Sequence, residues 1–189
     1  MSQVPATVTP VSHADLIDAL TVAYIASLGH PPLNDTLAVI CAQIALETGD
    51  MRSCICWNVG NYKRGPGPDW CAFETTEYLG SPPVATKMTC EFSAWPDLPS
   101  ACAFYVQALY SRWPEAWSAA VDGNPEAFAH GLRVRGYYTA PEALYAAGVR
   151  RWFSFYLALL GGSSPPAEPD MSGYGGGVLG LAGLLDGAT

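Results

Sequence analysis

The stretch Cys41-Ala42-Gln43-Ile44-Ala45-Leu46-Glu47-Thr48-Gly49, followed by Trp57-Asn58-Val59-Gly60-Asn61-Tyr62-Lys63, decides how the chain is read. Its apolar residues continue a pattern begun at Leu37, Val39 and Ile40, apolar nearly all round, which marks a central helix buried by its neighbours. Asn34 is placed to cap that helix and Gly49 to close it. Glu47 then falls in the last turn, where the negative pole of the helix dipole disfavours a carboxylate. Apolar neighbours add a desolvation cost. Both effects favour the neutral carboxyl and raise its pKa, which is what a general acid near neutral pH requires.

Outward from this helix the chain falls into three parts. Toward the N-terminus, Leu16, Ile17, Leu20, Ala23, Tyr24 and Leu28 follow helical spacing, with Ser12 as cap and Gly29, Pro31 and Pro32 as the stop. Residues 1–12 lack periodicity and read as a flexible leader. Toward the C-terminus, Gly60, Gly65, Pro66, Gly67, Pro68, Gly80, Pro82 and Pro83 punctuate extended pieces at Trp70–Tyr78 and Val84–Trp95. These predict a small antiparallel lobe of two or three strands over about 54–96. Helical pattern returns after Asp97, restarts at Pro114 and at Asn124-Pro125, and ends in a helix from about Ala140 to Leu160. The expected domain is therefore 13–160, of the α+β class and mainly α. Residues 161–189 form a Pro/Ser linker and a Gly/Leu-rich tail, read either as disordered or as a docking segment for a partner or a membrane surface.

Composition narrows the function classes. With 189 residues, 50% hydrophobic and 12% aromatic, the chain is long and apolar enough for one globular domain with appendages. A net charge of −8 with only 9 Lys and Arg argues against a nucleic-acid partner. The first residues show no basic segment followed by an apolar core, so no signal peptide is expected, and no apolar run approaches a membrane span. The expected origin is synthesis in the cytoplasm. Cys41 and Cys102 read as core. Cys54, Cys56, Cys71 and Cys90 leave buried thiols, disulfides and a metal site open, although their spacing fits no standard zinc motif.

A helical body, a β-lobe and a helix-end carboxyl at their junction suit glycosidic bond cleavage, which needs a protonated carboxyl and a second polar group across the sugar. Asp69, Glu74, Glu77 and Glu91 are the acids the lobe offers. Ala42–Gly49 resembles the AQxALExG signature of the flagellar-type peptidoglycan hydrolases, glycoside hydrolase family 73 of the lysozyme-like superfamily. Trp57–Lys63 is similar to the family's N-L-F-G-[IV]-K segment in its Asn and Lys, with Gly60-Asn61 departing from it. Glu74–Tyr78 resembles its TTTEY strand and Phe92–Leu98 its F-R-x-Y-x-S segment. Gly136–Pro141 resembles GYATDP, with Ala140 where the family has Asp.

The resemblance spans about residues 35–155 and implies a lysozyme-like fold with a cleft between helical body and β-lobe. It implies cleavage of the β-1,4-linked glycan of peptidoglycan, as an N-acetylglucosaminidase or else a muramidase or lytic transglycosylase, without metal or organic cofactor. Glu47 is implied as general acid, with Glu77 and Tyr137 as further catalytic residues. Asn58, Tyr62, Trp57 and Tyr138 are the expected substrate contacts. Plainer readings stand beside these: Glu77 as a solvent-facing strand residue, Tyr137 as packing, Trp57 as aromatic core. A non-catalytic wall-binding module is the rival function. Action at the bacterial cell wall without a signal peptide points to delivery on a virion or injection device, with the C-terminal tail as the docking segment.

Overall fold

The structure, a computed structural model, describes residues 1–79 and 84–170, without the side chains at 76–79 and 85. The expected Gly80-to-Pro83 turn and the Gly173-to-Thr189 tail lie outside the described residues. Six helices and one two-stranded sheet make up the described residues. They are α1 His13–Leu28, α2 Asn34–Glu47, β1 Asp69–Leu79, β2 Val84–Ala94, α3 Leu98–Arg112, α4 Pro114–Val121, α5 Pro125–Val134 and α6 Glu142–Leu160. The class is α+β and mainly α, as the periodicity predicts.

Helix α2 is the hub. All of its residues from Thr36 to Glu47 are buried, and it packs against α6, α1 and α4. This is why its sequence lacks a polar face: it has neighbours on every side. Several helix starts follow the expected chemistry. Ser12 accepts from the Asp15 N–H, Asp97 from Ser100 and Asn124 from Ala127, each satisfying an otherwise orphaned donor. Asn34 departs from expectation. The cap of α2 is Leu33, without a side-chain bond. Asn34 is already helical, and its Nδ2 donates to the Leu160 carbonyl at 3.3 Å, fastening the start of α2 to the end of α6.

β1 and β2 pair antiparallel from Asp69↔Ala94 to Leu79↔Val84, a two-stranded ribbon standing off the helical body. Residues 1–12 are not loose. Gln3 bridges Trp70 in parallel and Val8 bridges Ile55 antiparallel. Thr9 N donates to Cys54 O at 2.9 Å, and Cys56 N to Thr7 O at 2.9 Å. A single irregular edge segment interrupted by Pro5 and Pro10 has no periodicity to read, so its pairing is invisible in sequence. It stitches the β-lobe to the loop that follows α2.

Cys41, Cys54 and Cys102 lie in the main core, while Cys56 and Cys71 share a second buried cluster with Phe92 and Ala94. Burial pushes the Cys54 thiol up to about 11 and that of Cys102 to about 12. Thiols so placed are packing groups rather than nucleophiles. No helix among the described residues is long and apolar enough to cross a membrane.

Candidate active site

α2 ends at Glu47, and the chain then coils tightly back. Gly49, Asp50 and Met51 take φ of 56°, 60° and 56°, and Cys56, Trp57 and Asn61 take 51°, 57° and 53°. So many left-handed non-glycine residues persist only where their surroundings fix them. Thr48 supplies part of that frame: its Oγ1 donates to Ile44 O at 2.7 Å and accepts from Met51 N at 3.0 Å. Asn58 supplies more. Its Nδ2 donates to Tyr62 O at 2.8 Å and to Ser93 O at 3.0 Å, and its Oδ1 accepts from Tyr62 N at 2.8 Å. The loop is thereby clamped onto β2.

Glu47 itself is 3% exposed. Its Oε1 accepts from the Tyr145 hydroxyl at 2.7 Å and from Gln43 Nε2 at 3.3 Å. Its Oε2 has no partner, and neither does the buried Nδ2 of Asn61. Both residues line a small cavity of about 10 Å³, with Thr48, Ser53, Ile55, Asn58 and Phe73. That is room for roughly one water. Burial drives the Glu47 pKa up to about 8, against the opposing hydrogen bonds of Tyr145 and Gln43 and the lowering effect of the nearby Asn61 amide, which is not within hydrogen-bond geometry of the carboxyl. The desolvation expected from sequence is therefore the dominant cause. The result is a carboxyl that stays protonated at neutral pH, with one oxygen held and the other turned toward polar space.

The other expected residues fall into different places. Asn58 lines the cavity, but its polar atoms are already bonded within the protein. Tyr62 is buried, its ring enclosed by Trp95, Phe104, Trp113 and Tyr137. The Tyr137 hydroxyl donates to Gly60 O at 2.8 Å, fixing the loop beside the acid. Tyr138 has no exposed surface for a ligand: it donates to Ala129 O at 3.0 Å and stacks on Tyr145 with ring centroids 3.7 Å apart. Trp57 is not on the Glu47 cavity. It lines a separate groove of about 400 Å³ with Val11, Asp15, Asp18, Val22 and Leu98. Position 77 pairs with Thr86 and falls, by strand alternation, on the face of Phe73 and Thr75. The Glu77 side chain lies outside the described residues.

Sequence reasoning missed Gln43, Asn61, Tyr105 and Tyr145. Gln43 stands four residues before Glu47, on the same helix face, a signal that was available. Tyr145 reads only as part of a buried stripe, and nothing in one sequence links it to a residue 98 positions away. Among the described residues, His13, Asp50 and Glu168 are the group whose ligand atoms converge as a metal site would need. His13 Nε2 lies 2.8 Å from Asp50 Oδ1, and the Arg52 guanidinium already spans Asp50 and Glu168.

No protein-family model matches the chain, and no curated protein matches it. Solved structures do. A peptidoglycan hydrolase mutant from Sphingomonas sp. A1 has a TM-score of 0.58 and 25% identity, over 77% of this chain and 96% of that one. The catalytic domain of the autolysin Auto from Listeria monocytogenes has a TM-score of 0.55 at 17% identity, over 82% and 90%, a likeness of fold. The truncated glycoside hydrolase domain of Salmonella typhimurium FlgJ is 27% identical over 74% and 93%, at a TM-score of 0.49. In fold the chain is similar to the peptidoglycan hydrolase from Sphingomonas sp. A1, with the mainly α, lysozyme-like α+β architecture that the order of its motifs implies.

Proposed function

We propose that the protein is a glycosidase that hydrolyses the β-1,4 bonds of peptidoglycan, acting as an N-acetylglucosaminidase with Glu47 as general acid. One observation carries the reading: a helix-end carboxyl held neutral at physiological pH by burial, with Oε2 unpartnered and turned into a cavity walled by the β-lobe. The likeness to the Sphingomonas peptidoglycan hydrolase supports the substrate class.

In this reading Oε2–H protonates the leaving oxygen as the bond to the anomeric carbon breaks, and Glu47 becomes a carboxylate. Water then attacks the sugar cation. It is assisted by Glu77, whose position lies on the strand face shared with Phe73, or by the substrate's own 2-acetamido group. Asn58 and Tyr137 serve the acid by holding the loop that carries Asn61.

The test is release of reducing sugar and muropeptides from purified sacculi. Glu47→Gln removes the proton donor while keeping its shape, and is expected to lower turnover by roughly 10²–10⁴-fold. Wild-type activity should fall as pH passes about 8, where the acid loses its proton. Equal, negligible release by wild type and Glu47→Gln would leave the wall-binding reading in its place. Reducing ends identified as N-acetylmuramic acid, or as an anhydro sugar, would reassign the bond cleaved or the attacking group.

A further inference from the structure

Behind Glu47 lies a line of buried polar side chains that the cleavage chemistry above does not use. The Tyr105 hydroxyl, on α3, donates to Gln43 Oε1. Gln43 Nε2 donates to the Tyr145 hydroxyl at 3.1 Å and reaches Glu47 Oε1 at 3.3 Å. The Tyr145 hydroxyl donates to Glu47 Oε1 at 2.7 Å. Gln43 and Tyr145 are fully buried and Tyr105 is 1% exposed.

The direction of each bond in this line follows from the placement of the Gln43 amide, with Oε1 toward Tyr105 and Nε2 toward Tyr145. An amide nitrogen only donates, so Tyr145 must accept from Gln43 and pass its own hydrogen on to Glu47. The amide oxygen then faces Tyr105, which supplies the matching donor. Each hydrogen points toward the carboxyl. A proton on Oε1 would meet the Tyr145 hydrogen, and Tyr145 has no other acceptor among the groups that bond it. The only oxygen open to the proton is Oε2.

We propose that Tyr105, Gln43 and Tyr145 form a one-way hydrogen-bond relay that confines the Glu47 proton to Oε2, facing the cavity, and stabilises the charge left on the carboxylate once that proton is transferred. The three are positioning residues, acting on the reaction through Glu47. Hydrogen bonds strengthen when an acceptor becomes ionised, and polarisation along the line adds to the gain. The relay therefore favours the carboxylate more than the acid, so it works where proton transfer leaves charge behind.

The titratable groups facing Glu47 are Tyr62 from the loop, Tyr105 from α3, Tyr137 from the α5–α6 connection and Tyr145 from α6. Burial raises the pKa of all four, so they stay neutral across the working range. Arg112 acts on this group through Tyr62. A shift in the titration of Glu47 then reports hydrogen bonding rather than a second ionisation.

The relay rests on Glu47 as general acid, and its test is independent of turnover. The Glu47 carboxyl carbon is titrated by NMR in full-length wild type, Tyr145→Phe, Tyr105→Phe and Tyr156→Phe, with folding checked by near-ultraviolet circular dichroism. Tyr145→Phe keeps the stack on Tyr138 and removes only the hydroxyl. Loss of a bond to a charged group raises the midpoint by about one unit or more. Tyr105→Phe, one bond further back, should give a smaller rise of the same sign. Tyr156→Phe is the control, since its hydroxyl meets Met51 Sδ and lies off the line. The expected kinetic counterpart is a roughly ten-fold fall in kcat for Tyr145→Phe with KM unchanged. An unchanged or lowered midpoint in Tyr145→Phe overturns the relay, as does an equal rise in Tyr156→Phe. Should Tyr145→Phe fail to fold, Tyr105→Phe alone decides. A graded rise together with full activity in Glu47→Gln would keep the relay and reject the acid.

Discussion

Asn58 illustrates how a residue expected to meet the substrate is instead engaged with the backbone. Its amide joins three backbone groups, Tyr62 N, Tyr62 O and Ser93 O, so both of its N–H donors are already spent within the protein. Asn58→Ala leaves Tyr62 N and Ser93 O without these partners in a buried place, where each costs on the order of 1 kcal/mol or more, while Tyr62 O keeps the Ser93 N–H. We expect Asn58→Ala to lose roughly 2–4 kcal/mol of stability in urea unfolding and nearly all activity, because the loop carrying Asn61 is released. A variant with wild-type stability but weakened substrate binding would instead make Asn58 a substrate contact. Glu47 was legible in sequence because its cause is local: a carboxyl in the last turn of an apolar helix. Tyr145 was not, because its role exists only once α6 packs on α2.

Caps and proline starts define the elements, and these are short-range chemistry that a sequence displays openly. Ser12, Asp97, Asn124 and Pro114 fall at the starts expected of them. Asn34 misled because an asparagine able to cap a helix can equally bond a distant carbonyl, here that of Leu160. The leader misled because pairing with Trp70 and Ile55 depends on partners more than forty residues away.

The contact between α4 and α5 shows another constraint that sequence hides. Gly131, inside α5, lets the α4 backbone approach so closely that a Cβ would stand 2.4 Å from Ala116 N and 2.8 Å from Ala116 Cα. In an isolated helix Gly→Ala stabilises by about 1 kcal/mol. Here backbone cannot yield, so overpacking of about 1–3 kcal/mol wins and the helices must part. Gly131→Ala should therefore lower the thermal midpoint without touching kcat on sacculi, since α4 and α5 bear no residue of the acid's surroundings. A rise in midpoint would mean that the two helices separate freely.

At the scale of the whole molecule, protonation equilibria set opposing limits on stability. Arg135 donates twice to Glu115, at 2.6 Å each, and holds its pKa down at about 2, while the cap bonds from Ser100 lower that of Asp97. Carboxylates lowered by folding stabilise the native state above their unfolded pKa, and that contribution is lost as pH falls toward about 2. Glu47 acts in the opposite sense. Its pKa rises from 4.5 to about 8, so between those values the folded chain holds a proton that the unfolded chain has released. Stability must then decline with rising pH across that window, by about 1.4 kcal/mol per unit from this group. Asp50, raised by its burial, adds to the decline, and so does self-repulsion in a chain of net charge −8. The optimum is expected near pH 5 for the wild type. Glu47→Gln imitates the protonated acid and cannot ionise, so its unfolding free energy should stay flatter above pH 5 and exceed wild type by several kcal/mol near pH 8. Urea titrations of both proteins at about pH 5, 6.5 and 8 decide the matter. Parallel curves would mean that Glu47 ionises freely in the fold, which would remove the physical basis for its acid role.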